Sequence, residues 1–596
     1  MISSLRKMLE MLDRRDRRRA AILFSLIVLS GIAEAASIGA MLPFISILVA
    51  PDQAVNNAWI GRGFEFLGLE SFREQALVAG IGLVSLFVAK NLFLVGVVYY
   101  QNRFLFEKYA DYSSDVLKEY MYRPYLFHTM TNTATMMRNV NSETNLLVTG
   151  LMMPSLSIFS DIIAIVFLLG FLIILEPTMT LAAAVFFGTS SALFYAIIRN
   201  RIRIFGLARQ HAGREMTKAL NQALGGVKEI KVSGREEVFV KPFRDIQNEL
   251  SRINVSLNLW TALPRYYNES ILIAAVLGII GYFVLFDNRP FADVIPILAV
   301  FGAAAFRIMP GANRILTQLA KLRFSIPALD VVYRDLVTEK AIIAPNPEAR
   351  APFEKAIELR NVSLQYPGSE TPSLSNISLS IPKGSRVAFV GHSGAGKSSI
   401  VDIILGLVEP TSGGVWIDET PLKSLVRAWQ NRIGYFPQTI YLLDDTIRRN
   451  VAYGLPEDQI DNALVTQALK LANLETFVAG LPDGVNTMVG ERAVRVSGGE
   501  RQRIGIARAL YNDPDVLVFD EATASIDTVT ERGITDALAQ IDADRTMIFI
   551  AHRLSTVKAC ECLFLVENGQ ITASGTYDEL IGKSTSFRRM ATELAA

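Results

Sequence analysis

The stretch GHSGAGKSS at 391–399 combines residue types that together can hold a phosphate. It follows the apolar run RVAFV and precedes the helical pattern IVDIILGL, the strand–turn–helix context that a phosphate-binding loop requires. Gly391, Gly394 and Gly396 let the backbone curl so that its N–H groups, with those of Ser393 and Ser399, face the phosphates, and Lys397 can reach the terminal ones. The Ser398 hydroxyl can ligate Mg2+, and the helix N-terminus adds its dipole. Alone, this motif implies a nucleotide phosphate and no more.

Two further stretches narrow the chemistry. DVLVFDEATASID at 515–527 reads as a buried strand ending in Asp520 and Glu521. The first acid can hold a magnesium shell, and the second can orient or deprotonate an attacking water. VSGGERQRIGIARAL at 496–510 places Ser497, Gly498 and Gly499 at the start of an amphipathic helix, a second anion-facing helix end.

The order of phosphate loop, YFPQ, VSGGE, VLVFDE and FIAHR resembles the ATP-binding domain of ABC transporters. That resemblance implies ATP and Mg2+ as cofactors, Glu521 as the catalytic base and Gln438 as a magnesium and membrane-domain sensor. It further implies His552 as a switch near the γ-phosphate, Tyr366 as the residue stacking on adenine, and Asp527 as the loop acid coupling two sites. Ser497 and Gly499 resemble signature residues that clamp the γ-phosphate from the opposite subunit, so a homodimer is implied. The family signature usually has Leu and Gln where this chain has Val496 and Glu500. Valine keeps the apolar contact, and a glutamate in the first helical turn suits the dipole.

The elements that must position this machinery include a membrane part. The chain has 596 residues, 51% of them hydrophobic, too many for one core. Its charge excess of +1 points to no class of partner, and no nucleic acid is expected. Six stretches can cross about 30 Å of hydrocarbon: roughly 20–50, 76–100, 145–175, 178–198, 255–286 and 292–316. The first is far longer than a signal-peptide core and reads as a retained span. Lysines and arginines number 7, 5 and 12 in residues 1–19, 101–145 and 199–253, against 2, 0 and 1 in the alternate connections. This asymmetry predicts a cytoplasmic N-terminus and a cytoplasmic C-terminal half.

The predicted fold is therefore a membrane all-α six-helix transmembrane domain, 1–330, fused through a linker at 331–354 to a cytoplasmic α/β P-loop ATP-binding domain, 355–596. Joined to six spans, the motifs resemble an exporter-type half-transporter of the bacterial inner membrane. Short helices near 132–145 and 226–244 are expected to dock on the ATP-binding domains, with Phe239 and Phe243 as an apolar anchor. Cys560 and Cys562 are expected to be structural thiols, and His128 and His211 carry no assigned role.

Cations inside the spans carry the substrate reading. A rise of about 1.5 Å per residue puts Lys90 and Arg307 about 21 to 22 Å below the outer face, and Arg265 and Arg314 about 31 to 33 Å down. One alternative has them paired with acids such as Asp161 and Glu269. The other has them line a cavity and hold phosphate oxygens in guanidinium forks. With an amphipathic external helix at 58–75, the belt resembles that of bacterial lipid-linked oligosaccharide flippases, which implies a polyprenyl-pyrophosphate glycan as substrate. A drug, other-lipid or peptide exporter is the alternative within the class, and an ATP-gated channel or regulator the alternative outside it.

Overall fold

The computed structural model describes residues 2–49, 64–69, 71–286, 291–338, 350–490, 496–520, 544–550 and 557–595. The chain divides into two compact units, one of residues 1–122 and 131–341, the other of residues 123–130 and 342–596.

The first unit is helical. Helix α1 (Ile2–Glu10) is followed by α2 (Arg14–Gly39), α3 (Met41–Val49) and α4 (Phe72–Tyr122). The next long helix begins at Thr133 and ends as α6 (Met153–Leu175), then come α7 (Pro177–Gly225), α8 (Val227–Ser233), α9 (Glu236–Phe286) and α10 (Phe291–Tyr333). Among the described residues five helical stretches are long and apolar enough to cross a membrane. The sixth expected stretch, 255–286, forms the second half of α9. The long helices run past the spans into charged sequence, which explains apolar stretches longer than the bilayer minimum. Small residues bring them together: a Cβ on Gly31 of α2 would lie 2.7 Å from Ile163 on α6.

Two wide, π-helical turns, Asn139–Glu143 and Val148–Met152, interrupt the helix leading into α6. Gly150 lies in the second, where a Cβ would stand 2.2 Å from the Ser325 hydroxyl of α10. Helix α10 contains Pro296, Pro310 and Pro327. Pro310 has no N–H for the Phe306 carbonyl four residues back, so the helix ladder lacks a bond across 306–310, the turn that carries Arg307.

The second unit holds two sheets. An antiparallel sheet has the order β2-β1-β4-β5, from β1 (Ala356–Leu364), β2 (Leu374–Pro382), β4 (Ser412–Ile417) and β5 (Thr420–Pro421). The other has the order β10-β9-β3-β8-β7-β6, from β3 (Arg386–Val390), β6 (Ile433–Phe436), β7 (Val516–Asp520), β8 (Thr546–Ile550), β9 (Cys562–Glu567) and β10 (Gln570–Gly575). Strands β6, β7, β8, β3 and β9 run parallel, and only β10 turns back. Strands β3, β7 and β8 are buried along nearly their whole length, as strands covered on both faces must be.

The short helix α5 (Tyr125–Met130) groups with this second unit. The sequence points to 132–145 as the docking helix on that side, but the helix starting at Thr133, capped by the Asn132 side chain, belongs to the first unit. Phe239 and Phe243 are half-buried on α9.

Candidate functional site

Parallel strands bring the phosphate-facing groups to one edge of the sheet. Phe389 of β3 pairs in register with Ile550 of β8, Phe519 of β7 with Phe549 of β8, and Phe436 of β6 with Phe519. Gly391, Asp520 and Gln438 therefore all lie at the carboxyl ends of parallel strands of one sheet, β3, β7 and β6, where open α/β sheets bind ligands.

The loop between β3 and helix α11 (Lys397–Ile404) is built around glycine geometry. Gly391 has φ 155°, and a Cβ there would lie 2.2 Å from the Val566 carbonyl oxygen. Gly396 has φ 107°, with Leu374 and the Ser373 carbonyl at 2.7 and 3.0 Å from its would-be Cβ. Any side chain at either position would clash with backbone as well as strain the turn.

Lys397 is 5% exposed, and its Nζ donates to the carbonyls of Gly391 and His392 at 2.7 and 2.9 Å. The ammonium thus already lies across the loop that curls around it. Ser393, Gly394 and Ser398 are exposed. The Tyr366 hydroxyl and Ser399 Oγ lie 3.1 Å apart, so the aromatic ring stands beside the phosphate loop.

Asp520 closes β7, with the Tyr435 hydroxyl 3.5 Å from its Oδ2. Burial first, and then the Asp520 carboxylate, pushes Asp402 up to about 6. The same two causes push the Tyr435 phenol up. Tyr125 of α5 rises through burial and then through Asp402, Tyr366 and Asp520. Sequence reasoning passed over Asp402, which stands one helical turn after Ser398, and Tyr435, three residues before Gln438. Their signal was the spacing to those residues.

Among the described residues no three His, Cys, Asp or Glu side chains gather into a metal site. The donors Ser398, Gln438 and Asp520 are oxygen groups with a single carboxylate. That set fits magnesium, which takes one or two carboxylates and completes its shell with phosphate and water.

At the second helix end, Ser497 caps helix α12 (Gly498–Leu510). Its Oγ accepts from the Glu500 N–H at 3.3 Å, and Glu500 Oε2 accepts from the Ser497 N–H at 2.7 Å. Glu500 thereby closes a capping box. Glu521, Asp527 and His552 lie outside the described residues. Cys560 is buried, which pushes its thiol up to about 12, and both cysteines are free.

The first unit contains a cluster of charges. Arg314 Nε and Nη2 donate to the two Asp161 oxygens at 3.0 and 2.5 Å, a bidentate pair between α10 and α6. Arg307, two turns earlier, donates through Nη2 to Glu34 of α2. Lys90 of α4 lies within electrostatic reach of both Glu34 and Arg307, its Nζ 4.6 Å from the Phe87 ring centroid. Arg265 is exposed on α9, next to Pro264. Asp161 is thus the partner that its depth suggested, and Glu34 is the one sequence reasoning missed. Glu34 sits in GIAEAASIGA, an apolar run where a lone acid was itself the signal.

Phosphate loop and strand-end carboxylate on one sheet, with a capped second anion site at a helix start of the same unit and membrane-length helices in the other unit, define a membrane transporter fused to its own ATPase. A model described as ABC transporter transmembrane region matches residues 22–307, and one described as ABC transporter matches residues 374–524. The chain belongs to the ABC transporter family.

It is similar to the ATP-dependent lipid A-core flippase of Burkholderia pseudomallei strain 1710b, 30% identical over 75% of each chain. It is also similar to the multidrug resistance ABC transporter ATP-binding and permease protein of Lactococcus lactis subsp. lactis strain IL1403, 29% identical over 73% of each. Its fold matches that of a bacterial Atm1-family ABC exporter solved with ATP bound, with a TM-score of 0.76 at 23% identity over 97% of this chain and 98% of that one. The chain is accordingly an integral membrane half-transporter of exporter type, which binds ATP and couples its hydrolysis to transport.

Proposed function

We propose that two copies form a homodimeric flippase that moves an anionic lipid-linked substrate, a polyprenyl-pyrophosphate oligosaccharide, from the cytoplasmic to the outer leaflet of a bacterial inner membrane. The observation that carries this reading is the cation cluster. Arg307 and Arg314 lie two turns apart on α10, with side chains 36% and 45% exposed, and Lys90 adds a third positive charge. Planar guanidinium forks suit phosphate oxygens, and Arg265 would add a further contact nearer the cytoplasmic face.

An apolar groove lined by Pro43, Phe44, Ile47, Phe64, Leu83 and Leu86 suits a hydrocarbon tail. The name of the Burkholderia relative, an ATP-dependent lipid A-core flippase, supports a lipid cargo. That of the Lactococcus relative supports the second reading, a drug exporter.

In the ATP-binding unit, Gly391, Ser393, Gly394, Gly396, Lys397 and Ser399 would hold the phosphates, and Tyr366 the adenine. Ser398, Gln438 and Asp520 would hold magnesium, which would polarise the phosphoryl oxygens. Glu521 would take the proton of the attacking water, with His552 beside the γ-phosphate. Ser497, Gly498 and Gly499 of the second copy would complete the site, with Asp527 linking the two. ATP binding would draw the two ATP-binding domains together and turn the cavity outward.

The test is Lys90→Gln with Arg307→Gln in proteoliposomes, where glutamine still donates to Glu34. Flipping of the pyrophosphate-linked glycan should be lost while basal ATPase persists. Unchanged flipping sinks the reading, and stimulation of ATPase by cationic drugs in place of the lipid favours the second one.

A further inference from the structure

Four helices contribute to the membrane charge cluster: Glu34 from α2, Lys90 from α4, Asp161 from α6, and Arg307 and Arg314 from α10. The acids and the bases in it differ in access. Glu34 and Asp161 side chains are 4% and 8% exposed, whereas those of Arg307 and Arg314 are 36% and 45% exposed. Each guanidinium therefore spans from a buried carboxylate to an accessible face.

Neither pair is saturated. Glu34 Oε2 is buried and has no hydrogen-bond partner. Among the described residues Arg307 uses only Nη2, and Arg314 leaves Nη1 free. Lys90 has no acid within ion-pair distance among the described residues and rests on an aromatic ring. A pair built only for stability would be expected to satisfy its remaining lone pairs and protons, because desolvation makes each unmet one costly.

Resting on the head-group reading above, we infer that Glu34 and Asp161 are exchangeable counter-anions, which hold Arg307 and Arg314 in the empty transporter and yield them to phosphate oxygens of the substrate. The two carboxylates then set how much negative charge a cargo must bring. Three cations and two acids leave the cluster with a resting charge of +1. A head group with one charge can replace one carboxylate and leaves the other arginine held. A head group with two charges can engage both arginines, which lie about 10 Å apart along α10 and carry long side chains. The acids are thereby specificity-determining residues that favour a dianionic pyrophosphate diester over a monoanionic phosphate diester.

The experiment compares two lipids in nanodiscs: undecaprenyl pyrophosphate and undecaprenyl phosphate, each carrying one N-acetylglucosamine. The readout is the half-saturating concentration for ATPase stimulation. In Glu34→Gln, and separately in Asp161→Asn, the monoanionic lipid should act at about tenfold lower concentration while the dianionic one shifts by less than about threefold. An unchanged ratio between the lipids overturns the inference. So does an equal weakening of both, which would mean that the acids only hold the arginines in place.

Thermal unfolding in the same nanodiscs accompanies each variant. If Glu34→Gln does not fold, Asp161→Asn decides. If neither folds, the pairs are structural and the inference is wrong. Arg307→Gln separates the two levels of argument. Undiminished stimulation by both lipids in that variant removes the head-group site itself. Lost stimulation there, with a wild-type ratio in Glu34→Gln, removes only the exchange.

Discussion

Lys397 and Arg314 are both cations held within their units, and they are held in contrasting ways. Lys397 donates to carbonyls five and six residues before it, on the loop that its own glycines shape. Arg314 reaches a carboxylate 153 residues earlier in the chain, on another helix. Neutral carbonyl dipoles of its own loop hold the first. The second stands against Asp161, 8% exposed, which has to be satisfied across a helix interface. Removal of the first should therefore be a functional loss, and removal of the second should also be a structural one.

The comparison breaks most visibly at the ATP site. Lys397→Ala should lower ATPase by about 10³, as expected when a charge-stabilising donor is lost, with little change in thermal unfolding. A large drop in stability would show that the lysine is a structural strut after all. Glu521→Gln should cost a similar factor, about 10³, while ATP binding persists. Full transport by that variant would instead favour an ATP-gated channel or regulator.

Arg314→Ala sharpens the other side. It leaves Asp161 without its cation and should destabilise the membrane unit by about 3 kcal/mol, visible as early unfolding in detergent. Asp161→Asn should cost less, since no isolated charge is then left on the buried side. The smallest effect belongs to the Val-Ser-Gly-Gly-Glu variation. Glu500→Gln keeps a capping-box acceptor and loses only its charge near the helix start, worth about 0.5 kcal/mol. A loss of ATPase there would give Glu500 a direct part in the chemistry.

The same contrast explains how much could be read in advance. The phosphate loop, the strand-end Asp520 and the Ser497 cap were legible because each is a local pattern: strand, turn and helix follow one another, and partners lie within a few residues. The fold class was legible for a related reason, since span length and loop charge are properties of contiguous sequence. Pairing in the membrane unit was not. Depth counting offers Asp161 and Glu269 as partners, and among the described residues only Asp161 of the two is paired with one of these cations. Glu34 was passed over because it lies in the first apolar run, 273 residues from Arg307. The helix grouped with the ATP-binding unit also fell short of its expected place, at 125–130 instead of 132–145. There the sequence shows two short helical patterns in succession, and tertiary packing selects between them.

The wide turns at 139–143 and 148–152 give this bundle an adjustable index mark. Each such turn accommodates extra chain without breaking the helix, and one residue corresponds to about 100° of rotation. Asp161 is downstream of both, so the direction it faces is fixed by where that slack is stored. Taking up or releasing one residue of it would turn α6 by about 100° and shift it by about 1.5 Å along its axis, swinging the carboxylate away from Arg314, a way to rewire the interior by twisting a single rod.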